Sequence, residues 1–199
     1  LCWLRDRLGV SVLACDYRGF GASGGEPRLR ACGDDQVAAY DWLRRRLGAD
    51  RPIAVYGRSI GAGMASRLAA ERPVAALVLE APPRNAAEVI AHWSRTVVPW
   101  YARWFLRLEP EPGLVGDPVY PVDTIGRVRA PLLVLHGDRD AVIPSSHGQR
   151  VYELATMADK TLVIVRGAGH DDIGLAREPV AGMVGGFIAR TMMGSKVVE

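Results

Sequence analysis

Short apolar runs and longer amphipathic stretches alternate along this chain. Runs rich in Val, Leu and Ile fall at residues 10–17 (VSVLACDY), 52–57 (PIAVYG), 74–82 (VAALVLEAP), 131–137 (PLLVLHG) and 160–167 (KTLVIVRG). None alternates strictly between apolar and polar, the pattern of strands covered on both faces. Between them, helical spacing appears at 34–48, 60–71, 145–157 and 178–193. Asp34 and Ser145 or Ser146 sit where N-caps belong, and Gly48 where a helix stops. Strand–helix alternation predicts an open, mostly parallel α/β sheet with right-handed crossovers and helices on both faces.

One stretch breaks the rhythm. Residues 83–127 contain helical pieces (NAAEVIAHWSRTVVPWYARWFLRL) and then a Pro- and Gly-rich tract (EPEPGLVGDPVYPVD), but no strand-like run. That is too long for a plain connection and predicts an insertion folded over the sheet, within a single domain spanning 1–199. It gathers Trp93, Trp100, Trp104 and Phe105 beside Arg95, Arg103 and Arg107. A small lid packing its aromatic face on the body is one reading. A wall for an acyl chain, with the three tryptophans as substrate-binding residues, or a contact with a membrane surface, is the other.

Composition changes this picture little. The 199 residues suffice for one domain with a sizeable core, and the net charge of +3 with dispersed arginines gives no reason to expect nucleic acid. Cys2, Cys15 and Cys32 lack metal or disulfide spacing and suit a reducing, cytoplasmic setting. No apolar run reaches the roughly 18 residues a spanning helix needs. The opening LCWLRDRLGV has no Met and reads as a helix already under way. The expectation is therefore a chain incomplete at its N-terminus, with any leader or anchor left open.

Two Gly-x-Ser-x-Gly patterns compete for the chemistry: Gly21-Ala22-Ser23-Gly24-Gly25 and Gly57-Arg58-Ser59-Ile60-Gly61. A nucleophile elbow requires a strand, one sharp turn and a helix in immediate succession. Ser59 has that context, and Ser23, six positions past the end of its run, does not. The overlapping Gly19-x-Gly21-x-x-Gly24 would need a helix opening at Gly24 to hold a pyrophosphate, whereas the next convincing helix starts at Asp34. Behind Ser59 the helix N-terminus adds a positive dipole end, and the Ile60 N–H is a natural oxyanion donor. Glycines at 57 and 61 are expected to relieve crowding across the turn.

A serine hydroxyl needs a base, and the base needs an acid to orient it. Carboxyl ends of parallel strands supply both: Asp138 and Asp140 follow 131–137, and His170 follows 160–167 on a glycine-rich loop. The other histidines fall elsewhere, His136 at a strand end, His147 on a helix and His92 in the insertion.

DYRGFGASGG, YGRSIGAG, HGDRDAVIP and GAGHDDI, in that order, resemble the α/β-hydrolase superfamily over essentially the whole chain. The likeness is strongest to small-lid serine hydrolases that include bacterial esterases and protein depalmitoylases. The resemblance implies an α/β-hydrolase fold with Ser59 as nucleophile, Asp140 as acid and His170 as base. It makes DYRGFGASGG an architectural loop. It implies ester or thioester hydrolysis on a small-molecule or acylated substrate, with no metal or organic cofactor. A serine peptidase of the same superfamily, and a truncated, inactive hydrolase that only binds, are the alternatives. The family's His-Gly oxyanion loop, bearing the second donor, would precede Leu1. So would the strand that the family sets between 10–17 and 52–57.

Overall fold

The computed structural model describes residues 5, 6, 8–96, 102, 120–173 and 178–193. Four of the five predicted runs form one parallel sheet: β1 (Ala54–Arg58), β2 (Ala76–Glu80), β3 (Leu132–Gly137) and β4 (Lys160–Val165), in spatial order β1-β2-β3-β4. The helices are α1 (Leu29–Leu47), α2 (Ile60–Glu71), α3 (Ala86–Thr96), the short α4 (Pro121–Thr124), α5 (Ser146–Leu154) and α6 (Val180–Met193). This is the α/β architecture that the alternation predicts.

The central strands show why their sequences are unbroken apolar runs. Every residue of β2 and β3 is buried. Leu77, Leu79, Leu132 and Val134 point to one face and pack with Ala62, Ala65 and Ala69 of α2. Ala76, Val78, Leu133 and Leu135 point to the other and pack with Val180, Val184, Phe187 and Ile188 of α6. Each buried leucine contributes roughly 2 kcal/mol through area removed from water. The edge strands β1 and β4 are only half covered.

The structure corrects the reading at two places. Residues 10–17 form no strand, and Val12 and Leu13 are exposed. A strand persists only beside a partner strand, and no described strand lies beside this stretch, so its apolar pattern has no ladder to join. Helix α1 starts at Leu29, with Arg28 rather than Asp34 at its N-cap, and Asp34 lies inside it, paired with Arg67. Gly48 does end α1, at φ 81°. Within the 83–127 stretch, Tyr120, Thr124 and Ile125 are buried, and Ile125 packs in the α2 face of the core. No described helix is long and apolar enough to cross a membrane.

Candidate active site

Ser59, Asp140 and His170 lie together at the carboxyl edge of the sheet. β1 runs into α2 through a single residue, Ser59, which takes φ 52° and ψ −127°. A non-glycine residue at positive φ is strained by about 1–3 kcal/mol and persists only where its surroundings impose it. Here the imposition is visible. The Ser59 N–H donates to the Glu80 carbonyl at 2.8 Å, continuing the β1–β2 ladder, while α2 begins at the next residue. So tight a turn brings α2 onto β1. A Cβ at Gly57 would lie 2.4 Å from the Gly61 carbonyl oxygen and 2.6 Å from the Ala65 Cβ. Gly61 is under much less pressure than the sequence suggests, because a Cβ there would meet only the Tyr17 hydroxyl at 3.2 Å.

His170 reaches across to this serine. Its Nε2 lies 3.2 Å from Ser59 Oγ and its Nδ1 2.8 Å from Asp140 Oδ2. The Asp140 side chain is fully buried, and its Oδ1 accepts the N–H groups of Val142 (2.9 Å) and Ile143 (2.7 Å). Burial alone would raise its pKa. Hydrogen bonding from His136, the Ile143 N–H and His170 outweighs burial and holds the carboxyl at about 2, so it is ionised at neutral pH. With Nδ1 turned to the Asp140 carboxylate, Nε2 is the ring nitrogen that faces the Ser59 hydroxyl. Ile60 is the first residue of α2, so its N–H has no intrahelical partner four residues back.

The other candidates occupy supporting positions. Asp138 does not touch His170; its carboxylate accepts the Gly167 N–H at 2.7 Å and anchors the loop that carries the histidine. His136 is buried, with Nε2 at 2.8 Å from the Ile143 carbonyl, bracing the turn around Asp140. His147 takes the Arg84 N–H on Nδ1, and burial depresses its pKa. His92 and Trp93, both on α3, bond to the carbonyls of Ala141 (2.9 Å) and Val142 (3.0 Å). Trp93 therefore ties the start of the insertion to the acid-bearing turn. Trp100 and Trp104 lie outside the described residues. Ser23 sits on an exposed loop, its hydroxyl donating to the Asp16 carbonyl at 3.0 Å.

Two participants escaped the sequence reading, Arg58 and Glu80. Arg58 Nη2 donates to the His170 carbonyl at 2.9 Å and to Asp171, while its Nε lies 3.2 Å from Glu80. Glu80 is buried, and burial pushes its carboxyl up despite hydrogen bonds from Tyr56 and Arg58. One signal was available: a carboxylate closing a wholly apolar strand must find a partner or pay heavily for its burial.

A parallel sheet with a strained serine between strand and helix, and a histidine looped over from a later strand, defines the α/β-hydrolase class of fold. Comparison with known proteins agrees. Residues 4–110 match the family model described as alpha/beta hydrolase fold, and residues 120–174 match one described as serine aminopeptidase, S33. The chain belongs to the α/β-hydrolase family. An uncharacterized protein of Mycobacterium tuberculosis is 38% identical over 83% of this chain and 54% of its own length. The lysophosphatidylserine lipase ABHD12 of Macaca fascicularis is 33% identical over 76% of this chain and 39% of its own. The chain thus spans about half the length, or less, of these relatives. Among solved structures, an esterase of Pyrococcus furiosus superposes with a TM-score of 0.77 at 25% identity, over 96% of this chain and 73% of that one.

Proposed function

We propose that the protein hydrolyses carboxylic esters through an acyl-enzyme, with Ser59 as nucleophile, His170 as general base and acid, and Asp140 as the group that orients and charge-stabilises the imidazole. The observation that carries this reading is the Ser59 Oγ–His170 Nε2 approach of 3.2 Å at a residue strained to φ 52°. In the reaction so read, Ser59 Oγ bonds to the acyl carbon as its proton passes to His170 Nε2. The carbonyl oxygen becomes an oxyanion facing the Ile60 N–H. Collapse expels the alkoxide, which takes the proton back from His170. Water then attacks the acyl-serine, again giving up a proton to His170; the acyl C–Oγ bond breaks as that proton passes to Ser59 Oγ, and the acid leaves with Ser59 restored.

The lipase and esterase names among the relatives favour an oxygen ester on an acylated, lipid-like substrate. The same acyl chemistry extends to thioesters. The aminopeptidase description of the model matched by residues 120–174 keeps peptide bonds as the second reading. Full-length protein is expected to label with a fluorophosphonate probe and to cleave p-nitrophenyl esters faster than aminoacyl p-nitroanilides. Labelling that persists in both Ser59→Ala and His170→Ala variants overturns the assignment, and a preference for the anilides exchanges the two readings.

A further inference from the structure

We infer that Arg58 is a positioning residue, a hook at the end of β1 that holds the His170 loop over the nucleophile. The proposal rests on the reading of His170 as the base. The need for a hook follows from the topology. Ser59 follows β1 and His170 follows β4, at opposite edges of the four-stranded sheet. Three strand spacings separate them, about 14 Å. The loop after β4 must therefore lean across the ends of β3 and β2 to bring the imidazole to Ser59.

On the β3 side that loop is well tied. Gly167 N–H bonds to the Asp138 carboxylate at 2.7 Å, and the Ala168 carbonyl accepts the Arg139 N–H at 2.9 Å. A Cβ on Gly137 would lie 2.2 Å from the Ala168 carbonyl oxygen, so the loop runs directly over the end of β3. These ties all precede His170. On the β1 side the contact comes from Arg58, whose Nη2 reaches both the His170 carbonyl and the Asp171 carboxylate.

The arginine is itself held from below. The β1–β2 register sets Arg58 directly opposite Glu80, and Arg58 Nε lies 3.2 Å from the Glu80 carboxylate. Tyr56, two residues back on the same face of β1, donates its hydroxyl to the other oxygen of Glu80. The planar fork of a guanidinium can serve Glu80 through one edge and the loop through the other, whereas an ammonium cannot reach all three acceptors at once. Tyr56, Glu80 and Arg58 thus form a bracket built on two adjacent strands. Its outer end carries the backbone of the histidine that must lie within hydrogen-bond reach of both Ser59 and Asp140. The side-chain hydrogen bonds of the three go to one another and to the loop backbone and Asp171, with the Glu80 carboxylate also interacting electrostatically with His170, so the bracket acts through His170.

A misplacement of about 1 Å in a reacting group can cost roughly 100-fold in rate. In full-length protein, Arg58→Met is expected to lower kcat on p-nitrophenyl butyrate by about 10- to 100-fold, with KM within about twofold. Arg58→Lys should fall between Arg58→Met and wild type. Because Arg58 is partly exposed, added methylguanidinium should restore several-fold activity to Arg58→Met and none to Ser59→Ala. Asp171 has a side chain 84% exposed, so Asp171→Asn tests the outer end without threatening the fold. It should cost about three- to tenfold in kcat and should have no further effect in the Arg58→Met background. A folded Arg58→Met with wild-type kcat overturns the proposal, as does a loss that methylguanidinium leaves unmoved while Asp171→Asn is silent. If Arg58→Met does not fold, Asp171→Asn decides alone. Activity that survives His170→Ala overturns the base assignment, and the proposal falls with it. Wild-type dependence on His170 with an indifferent Arg58 removes only the bracket.

Discussion

The chain writes the same five-residue pattern twice, and the two copies show how little the pattern itself carries. Around Ser23 the glycines serve the backbone: Gly21 and Gly25 take φ 56° and 90°, and the serine hydroxyl closes the loop by donating to the Asp16 carbonyl. The hydroxyl is spent on its own turn. Around Ser59 the strain falls on the serine instead, at φ 52°, while Gly57 is required by the closeness of α2. That hydroxyl faces His170, behind which a chain of bonds runs to a buried carboxylate and two backbone N–H groups. The difference between the two copies is this connection.

The largest test of the contrast is removal of each hydroxyl. Ser59→Ala should lower kcat by about 10⁶ and abolish fluorophosphonate labelling, because members of such a unit fail together. Ser23→Ala should keep more than about half of the labelling, losing one loop hydrogen bond of roughly 1 kcal/mol. Labelling rates on the two purified variants decide it, and a reversed outcome would move the nucleophile to the exposed loop.

A second contrast separates the neighbouring carboxylates. Asp140→Asn keeps the size of the side chain but offers His170 an amide in place of a charge, which can hold the wrong tautomer. A loss approaching 10⁴ in kcat is expected. Asp138→Asn only weakens the anchor at Gly167 and should cost less than about tenfold. Steady-state kinetics on esters would show it, and equal losses would mean that the loop anchor matters as much as the acid.

The glycines come next. Gly57→Ala drives a Cβ into backbone and into Ala65, so a loss of about 3 kcal/mol is expected, at the upper end of overpacking. Gly61→Ala meets only a tyrosine hydroxyl and gains helix propensity, so it should stay within about 1 kcal/mol of wild type. Urea unfolding at constant m-value measures both. If Gly61→Ala proved the worse, the crowding at the elbow would be misread.

Most of this contrast could be read before the structure. Apolar runs at 52–57, 74–82, 131–137 and 160–167 are strands because their burial is written into their composition, and a helix directly after Tyr56–Ser59 follows from local pattern. Residues 10–17 carry the same composition and form no strand, because strand formation depends on a partner that a local pattern does not record. The start of α1 at Leu29 was hidden behind a polar, Arg-containing first turn with no capping side chain. The Arg58–Glu80 pair follows from strand register, and the ties of His92 and Trp93 to the 141–142 carbonyls join segments 49 residues apart. Such contacts exist only once the sheet has brought its loops together.

The buried end of the Ser59 chain can also be tested by pH. Asp140 is held at about 2 when folded, against an ordinary value of 3.8, so folding favours its ionised form. The stability it contributes, about 2 kcal/mol, should be present in full above pH 4 to 5 and disappear as pH falls through about 2. The gap in unfolding free energy between wild type and Asp140→Asn should narrow over that window as pH is lowered. A gap that widened toward acid would mean that the carboxyl is raised rather than lowered in the folded protein.

The smallest effect lies at the far end of the same chain of bonds. Trp93 donates its indole N–H to the Val142 carbonyl, and the Val142 N–H is one of the two that hold Asp140. Ser23 has nothing comparable behind it, since its hydroxyl ends on the Asp16 carbonyl. Trp93→Phe keeps most of the aromatic surface and removes the donor. The indole is 41% exposed as a residue, so water can replace the lost bond at the carbonyl and the cost should be near 1 kcal/mol or less. If the tie matters only for holding α3, thermal stability should drop by that amount and kcat should stay within about twofold. If it also steadies the acid-bearing turn, kcat should fall together with the benefit of Asp140, and Trp93→Phe should cost less in an Asp140→Asn background than in wild type. A double-mutant cycle read in both unfolding free energy and kcat separates the two, and strict additivity in kcat would end the polar chain at Asp140.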